Sequence, residues 1–195
     1  EVYLTGLELL MVMLAGVSLP RPEYNKMMKD LIAALKANGP RIKPKVRLLY
    51  TGGHADNPEF FELLQQNDAH VVSDNTGFGT RAADVLICED GNPLEAIINY
   101  YFEEKPAATR QMGTQVERME RLLDLVKQYK ADGVVASRLY MCDLWAFEHF
   151  LMRKRLHENN VPFLELEVDY TPEGQGQIKT RVQAFVESLA DRQTA

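Results

Sequence analysis

The sequence predicts an α/β protein built on a doubly wound, mainly parallel four-stranded sheet, flanked by helices and preceded by a helical lead-in. Three observations carry that expectation. Short apolar runs at KVRLLY (45–50), AHVVS (69–73), Val134 to Tyr140 and Val161 to Val168 alternate with stretches of helical periodicity. The first run feeds directly into TGGHADNP and then a helix, the strand, turn and helix unit of such folds. The stretch Ala131 to Tyr170 repeats that unit as buried strand, turn, amphipathic helix and buried strand, with Asp132-Gly133 turning the chain into it. Right-handed crossovers then give the order 2-1-3-4 and a crevice between the first and third strands.

Residues 1–40 read as the lead-in. Thr5 to Ala15 carries leucine and methionine on nearly every side with Gly16 as its stop, so both flanks are expected under cover. The stretch Leu4 to Leu19 lacks a basic leader, carries Glu8 and is too short and interrupted to span a bilayer. After Pro20-Arg21-Pro22, a second helix from Glu23 to Ala37 sets Met27, Leu31, Ala34 and Leu35 on one face and closes at Asn38-Gly39-Pro40. Its methionines read as core filler.

Residues 41–195 hold the sheet. Behind the first strand, Gly52 and Gly53 permit close backbone approach to a ligand, but neither a GxGxxG nor a Walker lysine is present, so a dinucleotide or nucleoside triphosphate site is not supported. His54 either exchanges a proton at the strand end or is an ordinary loop histidine. Glu59 to Gln66 forms a helix, and the second strand is followed by Asp74-Asn75-Thr76-Gly77-Phe78-Gly79 and a stretch through Cys88 with little periodicity. A connection of that length suggests a functional or partner-facing excursion. Cys88, with no histidine or cysteine near it, reads as structural. Pro93 to Phe102 makes a short helix, and Thr114 to Lys130 a longer one with Val116, Met119, Leu122, Leu123 and Val126 inward.

Chemistry concentrates where the third strand ends. Helical spacing resumes after Met141 and Cys142 at Leu144, Phe147, Leu151 and Met152, so Cys142 sits between a strand and a helix. Ligands bind at that edge of an open α/β sheet, and a helix N-terminus there favours a thiolate. Cys142 is either placed for a metal, a cluster or nucleophilic chemistry, or is packing, since free cysteine is among the most buried residue types. The Gly52-Gly53-His54 loop is expected across the same crevice. Glu148 and His149, further along the helix, face either solvent or core. The last strand leads to a terminal helix with Ile178, Val182, Phe185 and Leu189 on one face and Gly174 and Gly176 keeping its entry open. There Gln177, Thr180 and Arg181 are placed to orient an anion or a cluster sulfur, with Arg181 equally suited to surface carboxylates.

A net charge of -6 without any lysine and arginine block argues against nucleic acid as the main partner and leaves a cofactor, a small molecule or another protein chain. No span suggests a membrane. Two cysteines far apart in sequence fit a reducing cytoplasm. The first residue is Glu1 rather than methionine, so the chain is expected to begin inside a longer protein.

The series DGVV, a single cysteine leading a helix, VPFLELEVDY, GQIKTR and AFVESL resembles, in order and spacing, the C-terminal half of subunits of the 2-hydroxyacyl-CoA dehydratase and benzoyl-CoA reductase family. GLELLMVMLAGVSLPRPEYNKMMKDL is similar to the helical segment before that domain, so the resemblance covers nearly the whole chain. It implies a flavodoxin- or Rossmann-like C-terminal domain, in a subunit of a two-subunit component that holds oxygen-sensitive iron-sulfur clusters, [4Fe-4S] or larger. In the family, two cysteines come from an N-terminal domain and one from the C-terminal domain. Cys142 matches the last, whereas Cys88 lies outside the motif. Because one cysteine cannot hold a cubane, either the N-terminal half lies outside this chain or the cluster cannot be built. The implied partners are a second homologous subunit and an ATP-hydrolysing iron-sulfur activator that injects one electron. The implied dehydratase chemistry forms a ketyl radical on an acyl-CoA thioester, from which water is eliminated, and the related reductases reduce an aromatic acyl-CoA ring or use a double-cubane cluster. By position, Trp145, the 52–54 loop and Gln177 are implied cluster or substrate neighbours.

Two readings from other classes stand beside this one. The fold is also compatible with a non-catalytic scaffold that keeps Cys142 as packing. A flavodoxin-like flavin or nucleotide binder is disfavoured, because the loops after the first two strands lack a hydroxyl-rich phosphate cradle.

Overall fold

In VRLLYTG every residue but Arg47 is buried, and a strand covered on both faces belongs in the middle of a parallel sheet. The computed structural model, which describes residues 2–53, 57–66, 68–169 and 175–194, places it there. This strand, β1 (Val46–Gly52), pairs in parallel with β2 (Ala69–Asn75) on one side and β3 (Gly133–Leu139) on the other, and β4 (Phe163–Val168) completes the order β2-β1-β3-β4. The expected order and parallel sense therefore hold. Arg47 and Asp132 set the entry to β3, with Asp132 N donating to Arg47 O (2.8 Å) and Arg47 N to the Asp132 side chain at Oδ2 (2.7 Å).

Alternation along the strands sends side chains into two cores. On one face Leu48, Tyr50, Val71, Val135 and Leu166 meet the helices α1 (Gly6–Ser18), α3 (Pro58–Leu64) and α7 (Gln175–Thr194) through Leu10, Phe61, Leu64, Val182, Val186 and Leu189. On the other, Leu49, Val134 and Ala136 meet α5 (Gln115–Gln128) and α6 (Asp143–Glu158) through Met119, Leu122, Leu123, Met152 and Leu156. Helices thus cover both faces, as a doubly wound sheet requires. The remaining helices, α2 (Arg21–Asn38) and α4 (Pro93–Asn99), bury no residue fully, and a π-turn at Tyr100–Glu104 extends α4. Among the described residues no helix is long and apolar enough to cross a membrane.

Several helix faces differ from those expected from periodicity. Helix α1 starts at a Thr5–Glu8 capping box (Glu8 N to Thr5 Oγ1, 3.1 Å) and runs through Gly16 to Ser18, because the buried Gly16 lies against the Tyr24 ring and does not leave the helical conformation. Helix α1 packs against β2 and α3 and, through Gly16, against Tyr24 of α2, while Met11 and Val17 are exposed. Helix α2 turns Tyr24, Met28, Leu31 and Leu35 inward, while Met27 and Ala34 face solvent. In α5 Val116 is exposed and Arg118 is buried, a reversal explained by the ion pair described below.

Candidate functional site

Strands β1 and β3 end side by side, with Gly52 opposite Ser137, and over their carboxyl ends opens a cleft of about 430 Å³. Tyr50 and Ser137 tie the two ends from beneath through a 2.5 Å contact between their hydroxyls. Gly53 extends the pairing by one bond, its N donating to Ser137 O (3.3 Å). A Cβ at residue 53 would stand 2.5 Å from Trp145 Nε1, so the indole reaches the cleft wall only because residue 53 is glycine.

Cys142 enters from the opposite side. Met141, at φ 62°, turns the chain out of β3, and Cys142 N donates back to Leu139 O (3.1 Å). Cys142 becomes the N-cap of α6, and its thiol makes no capping hydrogen bond. It is a free, half-buried thiol lining the cleft together with Gly52, Gly53 and Trp145. These expected neighbours are therefore brought together. His54 lies outside the described residues, as do Gly174 and its surroundings.

Gln177 is exposed in the first turn of α7 and does not line this cleft; α7 packs on the Leu48, Tyr50 and Leu166 face of the sheet. Thr180 Oγ1 donates within its own helix to Gly176 O (3.0 Å), and Arg181 Nη2 donates to the Glu165 carbonyl (2.7 Å) beside a separate groove lined by Arg138, Arg153 and Glu167. Cys88 is exposed, its sulfur 3.8 Å from Asp90 O, so it has no packing role and the structural reading of it is overturned.

The other half of the cleft comes from stretches without periodicity. Asp74, buried at the end of β2, accepts from Thr76 N (3.0 Å), Thr76 Oγ1 (2.8 Å) and Thr80 N (3.2 Å), and Thr80 Oγ1 donates to its carbonyl. This folds the loop back so that Gly77, Phe78 and Arg81 reach the cleft. Gly79 is required at the fold, since a Cβ there would fall 1.8 Å from Asp74 Oδ1. Burial pushes the Asp74 carboxyl above its ordinary value even against these hydrogen bonds. Ala108, Thr109 and Arg110 complete the wall. The short polar side chains of Asp74, Asn75, Thr76 and Thr80 were the available signal, as Asx-type turns.

Behind the cleft α6 carries polar groups into the core. Trp145 meets His149 edge-on (5.9 Å between ring centres), and His149 meets Phe163 (6.2 Å). His149 is fully buried, and its Nδ1 lies 3.4 Å from Glu165 Oε1 without hydrogen-bond alignment. Burial, only partly offset by Glu165, holds its pKa below the ordinary 6.5. A histidine whose folded-state pKa is depressed takes up a proton more readily when unfolded, so its stabilising effect is complete above 6.5 and is lost as pH falls from there toward the folded value. Denaturant unfolding at pH 7.5 and 5 should show wild-type stability falling on acidification and His149→Phe falling less. Equal losses in the two proteins would exclude His149 as the source. His70, also depressed by burial, contributes with the same sign to both.

Among the described residues no group of three or more histidine, cysteine or acidic side chains is placed to hold a metal ion. The donor set fits one ligand of a shared group, a half-buried thiol at a cleft mouth that no hydrogen bond commits elsewhere, and it does not complete a site.

A family model described as 2-hydroxyglutaryl-CoA dehydratase, D-component, matches residues 1–189. An Escherichia coli K12 protein named as a dehydratase subunit is 28% identical over 77% of this chain and 39% of its own length. The (R)-phenyllactyl-CoA dehydratase beta subunit of Clostridium sporogenes is 24% identical over 91% of this chain and 47% of its own. A benzoyl-CoA reductase subunit of Thauera aromatica is 21% identical over 92% and 47% respectively. The chain thus spans about half the length of the curated relatives it matches, or less.

Proposed function

The chain belongs to the 2-hydroxyglutaryl-CoA dehydratase D-component family, and from that premise we propose that it forms part of a subunit of a 2-hydroxyacyl-CoA dehydratase in which Cys142 is one ligand of an iron-sulfur cluster. The observation that carries the reading is the uncommitted Cys142 thiol at the N-cap of α6, facing the cleft over β1 and β3. A [4Fe-4S] group held there would supply one electron at low potential to the substrate thioester and would take it back once the 2-hydroxyl and the 3-proton have left, so that the elimination of water is redox-neutral overall.

The residues of this chain have three tasks on this reading. Cys142 would hold the group, and Gly53 leaves room for the Trp145 indole in the wall of the same cleft. Phe78 and Leu144 line the same cleft with apolar surface and limit water, which strengthens electrostatic interactions inside. The Tyr50–Ser137 contact keeps the two strand ends in register beneath it. The described lining contains no carboxylate or imidazole, so proton removal falls to a group outside it. The remaining thiolates come from polypeptide beyond these 195 residues. A second homologous subunit and an ATP-dependent activator complete the system, which is placed in a reducing cytoplasm.

The match to the benzoyl-CoA reductase protein supports a second reading, reduction of an aromatic acyl-CoA by the same electron route. One experiment separates them. The full-length protein, assembled without oxygen with its second subunit, activator and ATP, should convert an (R)-2-hydroxyacyl-CoA into the 2,3-enoyl-CoA. Turnover of benzoyl-CoA alone would select the reductase, and no turnover of either would remove both.

A further inference from the structure

Arg81 stands in an unusual position for a cation. It is half-buried, yet it makes no hydrogen bond and no ion pair within 4.0 Å among the described residues. Each acid in its surroundings is already engaged. Glu148 gives both oxygens to Arg118, Asp74 accepts from Thr76 and Thr80, and Asp84 pairs with Arg121 Nη1 at 2.5 Å. Burial first, then Arg121 and Arg118, hold the guanidinium below the ordinary arginine range. A desolvated cation facing two others costs stability unless an anion joins it.

The space around Arg81 fits such an anion. Its side chain lines both the Cys142 cleft and an adjoining cavity of about 240 Å³, and Gly77 and Ala108 also line both. Two more cations line these cavities. Lys105 lines the smaller cavity with its ammonium 4.9 Å from the Tyr101 ring centre and no acid paired to it among the described residues, and Arg110 lines the larger. A single carboxylate would occupy one guanidinium. Three cations distributed over two joined cavities match a multiply charged anion with extent, and the net charge of -6 for the whole chain makes this local field selective.

We propose that Arg81, Lys105 and Arg110 bind the pyrophosphate of a coenzyme A thioester, with the smaller cavity taking the phosphates and the acyl arm extending into the Cys142 cleft. The choice of coenzyme A rests on the dehydratase reading above, whereas the pyrophosphate site rests on the cations alone.

Equilibrium binding and thermal melting of the purified protein test it, with coenzyme A, inorganic pyrophosphate, ADP and pantetheine as probes. Coenzyme A should bind more tightly than ADP, and pyrophosphate should compete with it. Arg81→Gln should weaken coenzyme A by about tenfold to a hundredfold, the worth of a charge-assisted contact, and Lys105→Gln by less. Pantetheine affinity should not change. Without ligand Arg81→Gln should melt no lower than wild type, since it removes an unpaired cation, and pyrophosphate should raise the wild-type melting temperature alone. Wild-type affinity for coenzyme A and pyrophosphate in Arg81→Gln would overturn the site. ADP binding as tightly as coenzyme A would overturn the coenzyme A assignment. Pyrophosphate binding lost in Arg81→Gln without dehydratase turnover sinks the dehydratase reading and keeps the anion site, and turnover with Arg81-independent coenzyme A binding does the reverse.

Discussion

Glu148→Ala should lower the free energy of unfolding by about 3–5 kcal/mol, the cost of leaving one member of a buried ion pair alone. The pair is bidentate, with Arg118 Nε to Glu148 Oε1 and Nη2 to Oε2 both at 2.7 Å, and the side chains are 7% and 3% exposed. Removing the carboxylate strands a buried guanidinium that already repels Arg81 and leaves it only neutral oxygen acceptors. Replacing both partners by apolar residues, as in Arg118→Met with Glu148→Leu, should recover most of the loss, because no charge then remains to be desolvated. Chemical denaturation of the single and double variants gives the comparison. A single-variant loss under about 1 kcal/mol would mean that water reaches the pair and that it is not buried in solution.

The effect should extend beyond α5 and α6. Arg118 Nη1 also donates to Thr114 Oγ1 (2.6 Å), Gln111 O (3.1 Å) and Ala108 O (3.3 Å), so one side chain fixes the segment that supplies Ala108, Thr109 and Arg110 to the cleft. Hydrogen exchange across residues 106–113 should therefore rise in Glu148→Ala, while the strands of the sheet, which keep their ladders, should stay protected.

The sheet was legible because its strands are short and apolar, and because the first, third and fourth are each followed by a change to helical spacing. Strand order followed from crossover handedness, and with it the meeting of Gly52, Gly53, Cys142 and Trp145, since strand ends in such a sheet share one edge. Helix faces were less legible where polar groups are satisfied inside. In α6 the apolar spacing Leu144, Phe147, Leu151 and Met152 suggested the inner face, yet Leu144 and Phe147 are 41% and 60% exposed, while Glu148, His149, Met152 and Leu156 are buried. The reason is Arg118 on α5 and the aromatic rings around His149, neither of which a hydrophobic period registers. Arg81, Lys105 and Arg110 were missed for a related reason. They sit in connections whose shape depends on Asp74 and Arg118 side-chain bonds made after folding, not on any repeat in the sequence.

Cys142→Ala should remove the iron, the sulfide and the broad thiolate-to-iron absorption from full-length protein assembled without oxygen, and Cys88→Ala should leave all three in place. The separation is chemical. A cubane loses integrity when one thiolate is deleted, whereas the Cys88 sulfur is exposed and donates to Asp90 O. The fold should survive, because the Cys142 side chain makes no capping bond and is only half-buried, so its truncation costs about 1 kcal/mol or less. Cys142→Ser sharpens the test. Serine is a preferred N-cap and should hold α6 at least as well as cysteine, by up to about 1 kcal/mol, while still failing to replace the thiolate. Loss of the cluster in both variants with α6 intact assigns Cys142 as a ligand. Retention of iron and sulfide in either variant, or collapse of both folds, would instead make the residue a packing element at the end of β3.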